Sequence, residues 1–278
     1  MKPRAAGLVY FVIAIAVCII AASLLARAVL TLTLADIAHA WRSIPRSKVG
    51  MSLLLTAASF CALGLYDVLA TRTLFFGRVP TGLAWLAGAA GNAISNTLGF
   101  HAITGSLVRY RLYRQAGLNA KEVAALVAST WSALGLGFLT VFALALLARH
   151  SSRFESFVGA SLVLALMALL VWLGPRGRHF SVARLSLALP SARVAALQLA
   201  IGAAEMSAAI GALYILMPAM PGSFAGFAAA YIAAVLIGVV SHAPGGLGVF
   251  EAAMLSFTSG QDEAAILAGL PDILYQRE

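Results

Sequence analysis

The stretch GNAISNTLGFHAITGSLVRYRLYR, residues 91–114, decides how this chain folds, because it is polar where its neighbours are apolar. Asn92, Asn96 and Gly99 interrupt a run that would otherwise be a membrane helix, and Arg109 follows. Glycine weakens a helix, and amide side chains are costly to place in lipid. Interrupted backbone survives at membrane depth where it is buried in protein or lines a wet cavity. We therefore expect a broken or re-entrant segment near 91–108.

A second interrupted stretch, GVVSHAPGGLGVFEAAML at residues 238–255, has the same character. Its helix breakers precede Glu251 and are Pro244, Gly245, Gly246 and Gly248. Discontinuous helices in corresponding halves of a chain are the pattern of a transporter built from an inverted repeat, where they hold a polar substrate group. We expect this second break near 241–251, facing the first. A plain turn between two helices, with Glu251 near the membrane interface, is the alternative.

The rest of the sequence is typical of an integral membrane protein. Hydrophobic residues make up 62% of it and charged residues 10%, whereas soluble domains carry about 25% charged residues. A helix needs roughly 20 apolar residues to cross the hydrocarbon core. The apolar runs predict spans near 6–28, 49–70, 82–104, 122–148, 157–174, 194–217 and 223–241, with a shorter piece at 249–258. The expected fold is an all-α membrane bundle of seven or eight transmembrane helices, a single domain over 1–278 with no soluble domain.

The N-terminal apolar run begins after Lys2 and Arg4, as a signal peptide would, but it is long enough to be a retained first span. Residues 31–44 place apolar side chains at helical spacing, which predicts a helix lying at the interface or an ordinary loop. Cys18 and Cys61 both lie in apolar segments, so no disulfide is expected.

The basic residues give an expected orientation. With seven simple crossings, segments 26–48, 105–121 and 174–193 and the C-terminal end share one side and hold most of the 19 Lys and Arg residues. The positive-inside rule then places the N-terminus outside. If one interrupted segment enters the membrane and returns to the same side, the later connections change sides and this orientation argument fails.

The ionisable residues that stand in the predicted spans or close to a span end include Asp67, Arg109, Glu205 and Glu251. Each would cost about 2.5–3.5 kcal/mol at the centre of a lipid-exposed helix, and such residues usually face the bundle interior and pair. We expect all four to converge on one polar cavity. For Asp67, and for Arg72 five residues later, snorkelling to the interface is the alternative.

The basic stretch RYRLYRQAGLNAKE, residues 109–122, interleaves tyrosines with arginines. Arg111, Tyr113 and Arg114 join Arg109 as candidate ligands of a lipid headgroup, because guanidinium groups bind phosphate bidentately and tyrosine favours the headgroup level. An ordinary positively charged loop with aromatic anchors is the alternative. Nucleic acid is not an expected partner, since the basic residues are scattered over many connections.

Four motifs, LYDVLATRTL, NAISNTLGFHAITGSLVRYRLYRQAGL, AAEMSAAIGALY and APGGLGVFE, occur in the order of one family. Together they resemble the N-terminal membrane half of the bacterial multiple peptide resistance factor, the lysylphosphatidylglycerol synthetase and flippase family. The resemblance covers about 6–270. It implies translocation of lysyl- or alanyl-phosphatidylglycerol between the leaflets of the bacterial cytoplasmic (inner) membrane, contributing to resistance against cationic antimicrobial peptides. The family's charged intramembrane positions match Asp67, Arg109, Glu205 and Glu251.

The chain departs from that family in two ways. It lacks the soluble domain that transfers the amino acid from aminoacyl-tRNA to the lipid, so the resemblance does not imply a transferase activity here. It also ends in ILAGLPDILYQRE, where the family continues into another helix, so the C-terminus is expected to be truncated.

Three functions remain open. The first is a lipid flippase with aminoacyl-phosphatidylglycerol as its substrate. The second is a membrane enzyme acting on a lipid headgroup, including the membrane portion of an aminoacyltransferase whose catalytic domain is separate. The third is a non-catalytic membrane partner of a separate synthase, or a homo-oligomer. We expect no catalytic residue, cofactor or metal, because no such motif is present and His101 and His242 are isolated.

Overall fold

The computed structural model describes residues 42, 44–98, 101–149, 151–175, 178–182, 185–217, 223–241 and 248–257. The predicted span at 6–28 lies outside these residues, as does the predicted interfacial segment 31–44 apart from Arg42 and Ile44. Further candidate positions outside them are Gly99, Pro244, Gly245 and Gly246.

Helices make up almost all of the described chain. They are α1 (Arg46–Leu74), α2 (Thr81–Leu98), α3 (His101–Tyr113), α4 (Ala120–Arg149), α5 (Arg153–Leu173), α6 (Ala192–Leu216) and α7 (Phe224–Ser241). A 3₁₀ turn, Arg114–Ala116, follows α3, and residues 249–257 are again helical. The predicted all-α membrane bundle is confirmed.

The connection between α5 and α6 contains a small β-hairpin that the sequence analysis missed. Strands β1 (Arg178–Val182) and β2 (Leu185–Leu189) pair antiparallel, with Arg178 opposite Leu189. Polar and apolar residues alternate over residues 179–182 and over 185–187, and this short period of two is the signal that could have found the strands.

Helices α1, α4, α5 and α6 are each long and apolar enough to cross a membrane, and α7 is a shorter apolar helix. Their outward faces carry large exposed apolar side chains, such as Leu164 at 69% and Val171 at 79%. Continuous apolar surface of this kind is suited to lipid rather than water. The chain is therefore a multi-pass membrane protein.

Small residues bring the central helices together. α6 packs against both α1 and α4. A Cβ placed on Gly137 of α4 would lie 2.8 Å from the Cα atom of Gly202 on α6, so these two backbones are in contact. Such approaches are common in membranes, where packing contacts hold helices together. α7 completes this side of the bundle through a core that includes Ile210, Phe227 and Ile232.

The predicted span at 82–104 is wrong, because this region is a helical hairpin. α2 ends at Leu98, α3 begins at His101, and the two helices pack on each other. The residues that contact each other across the two helices lie at similar sequence distances on either side of the break. Thr104 donates a hydrogen bond to Ser95 at 3.4 Å, and farther out the Tyr113 hydroxyl lies 3.4 Å from the Ala84 carbonyl oxygen. The expected break within 91–108 is thus present.

Both ends of this hairpin lie at the same end of the bundle. Arg78, just before α2, forms a 2.6 Å ion pair with Glu122 in the first turn of α4 and donates to the Gly117 carbonyl oxygen at 3.4 Å. We call this the basic end. The hairpin enters and returns, so it is re-entrant. Residues 42–48 therefore lie at the other end of the bundle from segments 105–121 and 174–193. The orientation argument, which assumed that these segments share one side of the membrane, is wrong.

The helical segment that follows the second break has an N-terminal cap. Gly248 adopts a φ of 80° and precedes the helical residues 249–257. Its N–H donates to Glu251 Oε2 at 2.7 Å, and its carbonyl oxygen accepts from Ala252 N–H at 3.1 Å. This is one half of a capping box. Among the described residues, α2 packs on α1 and α3 on α4, whereas α7 packs on α4 and α6. Residues 242–247 of the second break lie outside the described residues, so the facing of the two breaks stays a prediction.

Candidate functional site

A buried ion pair joins the re-entrant hairpin to α1. Arg109 Nε donates to both oxygens of Asp67 at 3.0 and 3.1 Å, and its Nη2 donates to Oδ2 at 2.9 Å. The Tyr113 hydroxyl, one turn later on α3, donates to Asp67 Oδ1 at 2.9 Å. Asp67 and Tyr113 are fully buried, and Arg109 is 2% exposed. The snorkelling alternative is therefore wrong for Asp67, while Arg72 is exposed and bonds Thr81.

Glycines of the hairpin make room for this pair. A Cβ on Gly88 would lie 2.6 Å from Asp67 Oδ2, and one on Gly91 would lie 3.0 Å from Arg109 Nη1. A Cβ on Gly105 would lie 3.2 Å from the same nitrogen. Two charges this deep need tight, well-directed contacts to offset the loss of hydration. The glycines of the sequence therefore serve the ion pair as well as the break.

The four expected charges do not meet in one cavity, so that expectation is wrong. Asp67 and Arg109 pair with each other. Glu205 on α6 instead accepts a hydrogen bond from Ser59 Oγ of α1 at 3.0 Å, and Glu251 caps its own helix. Within the described part of the chain, no ion pair links Glu205 or Glu251 to a basic residue.

The asparagines of the hairpin take different positions. Asn92 Nδ2 donates to the carbonyl oxygen of Gly88 one turn earlier, at 2.9 Å, so its amide supports its own helix. Asn96 is exposed near the end of α2, beside the exposed Thr97. Polar side chains are thus presented close to the break, at a depth where the hairpin has turned within the bundle.

A cluster of exposed cations surrounds the outer end of α3. Arg111, Arg114 and Lys121 are exposed. Within the described residues none of them forms an ion pair, whereas nearby Arg78 is held by Glu122. The cluster is therefore able to attract an anion at the membrane surface.

An apolar groove of about 460 Å³ runs along α3 and the first half of α4. It is lined by Ile103, Ser106, Leu107, Tyr110, Ala120, Val123, Ala124, Val127 and Ala128. Leu107 and Tyr110 lie one helical turn before Arg111 and Arg114, so the groove leads directly to the basic side chains. Its shape and lining suit a hydrocarbon chain with a polar group at the basic end.

Sequence reasoning missed a second polar region, between α1 and α6. Its buried members include Ser59, Tyr66 and Gln198, which lie among residues of ordinary apolar spans. A seven-residue spacing of polar side chains on both helices is the signal that could have found it. Among the described residues, no group of three or more His, Cys, Asp or Glu side chains could hold a metal ion.

The chain is similar to a protein of Synechocystis sp. described as "Uncharacterized protein slr0712". The two are 26% identical over an alignment of 250 residues that covers 84% of this chain and 77% of that protein. No family model matches the chain.

Proposed function

We propose that this chain is a phospholipid translocation module of the bacterial cytoplasmic membrane, and that its substrate is an aminoacylated phosphatidylglycerol. The observation that carries the proposal is the apolar groove on α3 and α4, whose lining includes Leu107 and Tyr110, one helical turn before the exposed Arg111 and Arg114. Within the described residues these two arginines form no ion pair. An amphiphile with a phosphate at one end and an acyl chain at the other matches both parts. The resemblance to the lysylphosphatidylglycerol synthetase and flippase family adds the aminoacyl group.

Arg111 and Arg114 are the proposed phosphate ligands. Guanidinium groups form charge-assisted, often bidentate hydrogen bonds with phosphate oxygens. Arg109 is not available for this role, because it is buried and its Nε and Nη2 groups donate to Asp67. Its contribution is to hold the hairpin on α1, and so to position the arginines that follow on the same helix.

The re-entrant hairpin supports movement of the headgroup. Polar side chains near the break, including Asn96 and Thr97, are exposed at a depth where lipid itself has no hydrogen-bonding groups. The half-buried Glu251 is the carboxylate that would meet the cationic amino group of the head. An unmodified phosphatidylglycerol head has no such cation and would be repelled.

Translocation can be tested in proteoliposomes that contain lysyl- or alanyl-phosphatidylglycerol. A membrane-impermeant amine reagent labels the headgroups of the outer leaflet, and continued labelling of the inner pool reports flipping. We expect the purified chain to accelerate labelling, and Arg111→Gln with Arg114→Gln to slow it by at least tenfold. The matched control is Arg46→Gln with Arg153→Gln, which removes two exposed cations from the opposite end.

The other outcomes separate the remaining functions. A new lipid product would favour an enzyme acting on the headgroup. Lipid binding without flipping would favour a membrane partner of a separate synthase. Equal effects of the two double variants would contradict a specific role of the basic end.

A further inference from the structure

A polar seam runs along the contact between α1 and α6. Both helices place buried residues at seven-residue steps along it: Ser52, Ser59 and Tyr66 on α1, and Gln198, Glu205 and Ala212 on α6. Ser52 Oγ donates to the Ala212 carbonyl oxygen at 2.8 Å, and Ser59 Oγ donates to Glu205 Oε1 at 3.0 Å. These pairs fix an antiparallel register, in which the next step brings Tyr66 level with Gln198.

The Tyr66 hydroxyl and the second oxygen of Glu205 approach the same level of the seam. Helical side chains lean toward the N-terminus of their own helix, so in an antiparallel pair these two lean toward each other. The Tyr66 hydroxyl reaches Gly202, one turn before Glu205, where a Cβ would collide with it.

Both groups are buried. Glu205 is 5% exposed and Tyr66 is 1% exposed. Across the residues that the structure describes, neither Glu205 Oε2 nor the Tyr66 hydroxyl has a hydrogen-bond partner. A buried polar atom left unpaired costs about 1–3 kcal/mol, and an isolated buried carboxylate costs more. Two such atoms lie along one seam, and a ligand shared between them would satisfy both.

We propose that Glu205, Tyr66 and Ser59 form a binding site for a small monovalent cation, such as Na⁺, in the interior of the bundle. Carboxylate and hydroxyl oxygens are hard ligands suited to a hard cation. One carboxylate balances one positive charge, whereas a divalent ion would leave a net charge buried. Glu205 Oε2 and the Tyr66 oxygen are the direct ligands, and Ser59 holds the carboxylate through Oε1.

The site is separate from the two features described above. Asp67, beside Tyr66 in the chain, is neutralised by Arg109 and does not add charge here. The contact between Gly137 and Gly202 closes the seam on the side of α4, where a Cβ on Gly137 would lie 2.9 Å from the Tyr66 hydroxyl oxygen. The lipid groove lies on α3 and the first half of α4. Cation binding therefore does not depend on the proposed translocation.

Thermal unfolding of the purified chain in a neutral detergent tests the site. NaCl is titrated against choline chloride at constant ionic strength, and the Tm is followed together with equilibrium binding of ²²Na⁺. A ligand at a hundredfold excess over its Kd should raise the Tm by on the order of 5–10 °C in a saturable manner. We expect Glu205→Gln and Tyr66→Phe to abolish the saturable rise and the ²²Na⁺ binding.

Thr130→Val is the matched control, because Thr130 is 3% exposed and its hydroxyl also lacks a partner among the described residues, but it lies two turns from Gly137 along α4. It should keep the sodium response. Should Glu205→Gln fail to fold, Tyr66→Phe, which removes a single oxygen, decides the question. A wild-type chain without a sodium-specific shift, or a shift that survives in Tyr66→Phe, would overturn the proposal. The measurement needs no lipid transport, so its failure and that of the proposed function are distinguishable.

Discussion

The guanidinium group of Arg109 lies against the carboxylate of Asp67 in a side-on arrangement, with three N···O distances between 2.9 and 3.1 Å. The two residues are 42 positions apart, one on α1 and one on the returning arm of the hairpin. This pair, with the Tyr113 hydroxyl on its third side, holds the hairpin in the bundle.

Removing one member of the pair should destabilise the protein more than removing both. Asp67→Asn or Arg109→Gln leaves a buried charge alone, and loss of one partner typically costs about 3–5 kcal/mol. The double variant should recover much of that loss. Thermal unfolding of the four proteins in detergent forms a double-mutant cycle. Arg78→Gln is the control, since it breaks an exposed pair and should change little. Strictly additive losses at the two positions would contradict the buried pair.

Gly88→Ala should destabilise the protein by about 1–3 kcal/mol, the usual cost of overpacking. The new Cβ would lie 2.6 Å from Asp67 Oδ2. Gly82→Ala is the matched control on the same helix, because nothing lies within 4 Å of its Cβ position. That substitution should be neutral or stabilising, since alanine favours a helix over glycine by up to about 1 kcal/mol. Equal unfolding temperatures of the two variants would argue against the close approach.

Single-cysteine labelling should place both ends of the hairpin on one side of the membrane. In a background without Cys18 and Cys61, Phe76→Cys and Gln115→Cys should react from the same side. Arg46→Cys and Ser151→Cys should react from the other side, because α1 and α4 each cross once. We expect the basic end to be cytoplasmic. Opposite accessibility of positions 76 and 115 would mean that the region crosses the membrane once.

Glu251→Gln should keep the stability of the protein, whereas Glu251→Ala should lower it. The side chain accepts a 2.7 Å hydrogen bond from Gly248 N–H at a helix start, and an amide oxygen can still accept it. In the flipping assay, Glu251→Gln then isolates the negative charge. A stable but slow glutamine variant supports contact with the amino group, and a stable, fully active one leaves Glu251 a capping residue.

Gly248→Ala tests the same helix start through the backbone. Gly248 has a φ of 80°, which residues with a Cβ adopt at a cost of roughly 1–2 kcal/mol. We expect a loss of stability of that order. Gly50→Ala is the control, because its Cβ position meets nothing within 4 Å and its φ is not in the left-handed region. An unchanged unfolding temperature of Gly248→Ala would contradict the positive φ at this position.

The spans could be predicted because hydrophobic length is a local property. α1, α4, α5, α6 and α7 follow the predicted ranges closely, and the break near Gly99 follows from local helix breakers. Partner choice is not local. The cost of burying Asp67 and Arg109 marks both in the sequence, but nothing in it says that they bind each other and not Glu205.

The seam between α1 and α6 was missed for a related reason. Ser59 and Tyr66 are tolerated in any membrane helix, so their residue types carry no signal. Their significance comes from their register with Glu205. That register depends on how α1 packs on α6, and Ser59 and Glu205 are 146 positions apart in the sequence. Residue composition alone does not reveal that register.

The ion pair between Asp67 and Arg109 also constrains how the chain is made. At a synthesis rate of roughly 5–20 residues per second, Asp67 leaves the ribosome on the order of 2–8 s before Arg109. During that interval α1 holds an acidic side chain without its counter-charge, so it cannot settle stably among lipids. α2 alone is not one of the long apolar helices. We therefore expect the hairpin to join α1 as a unit, once both of its arms have been synthesised and Arg109 can neutralise Asp67.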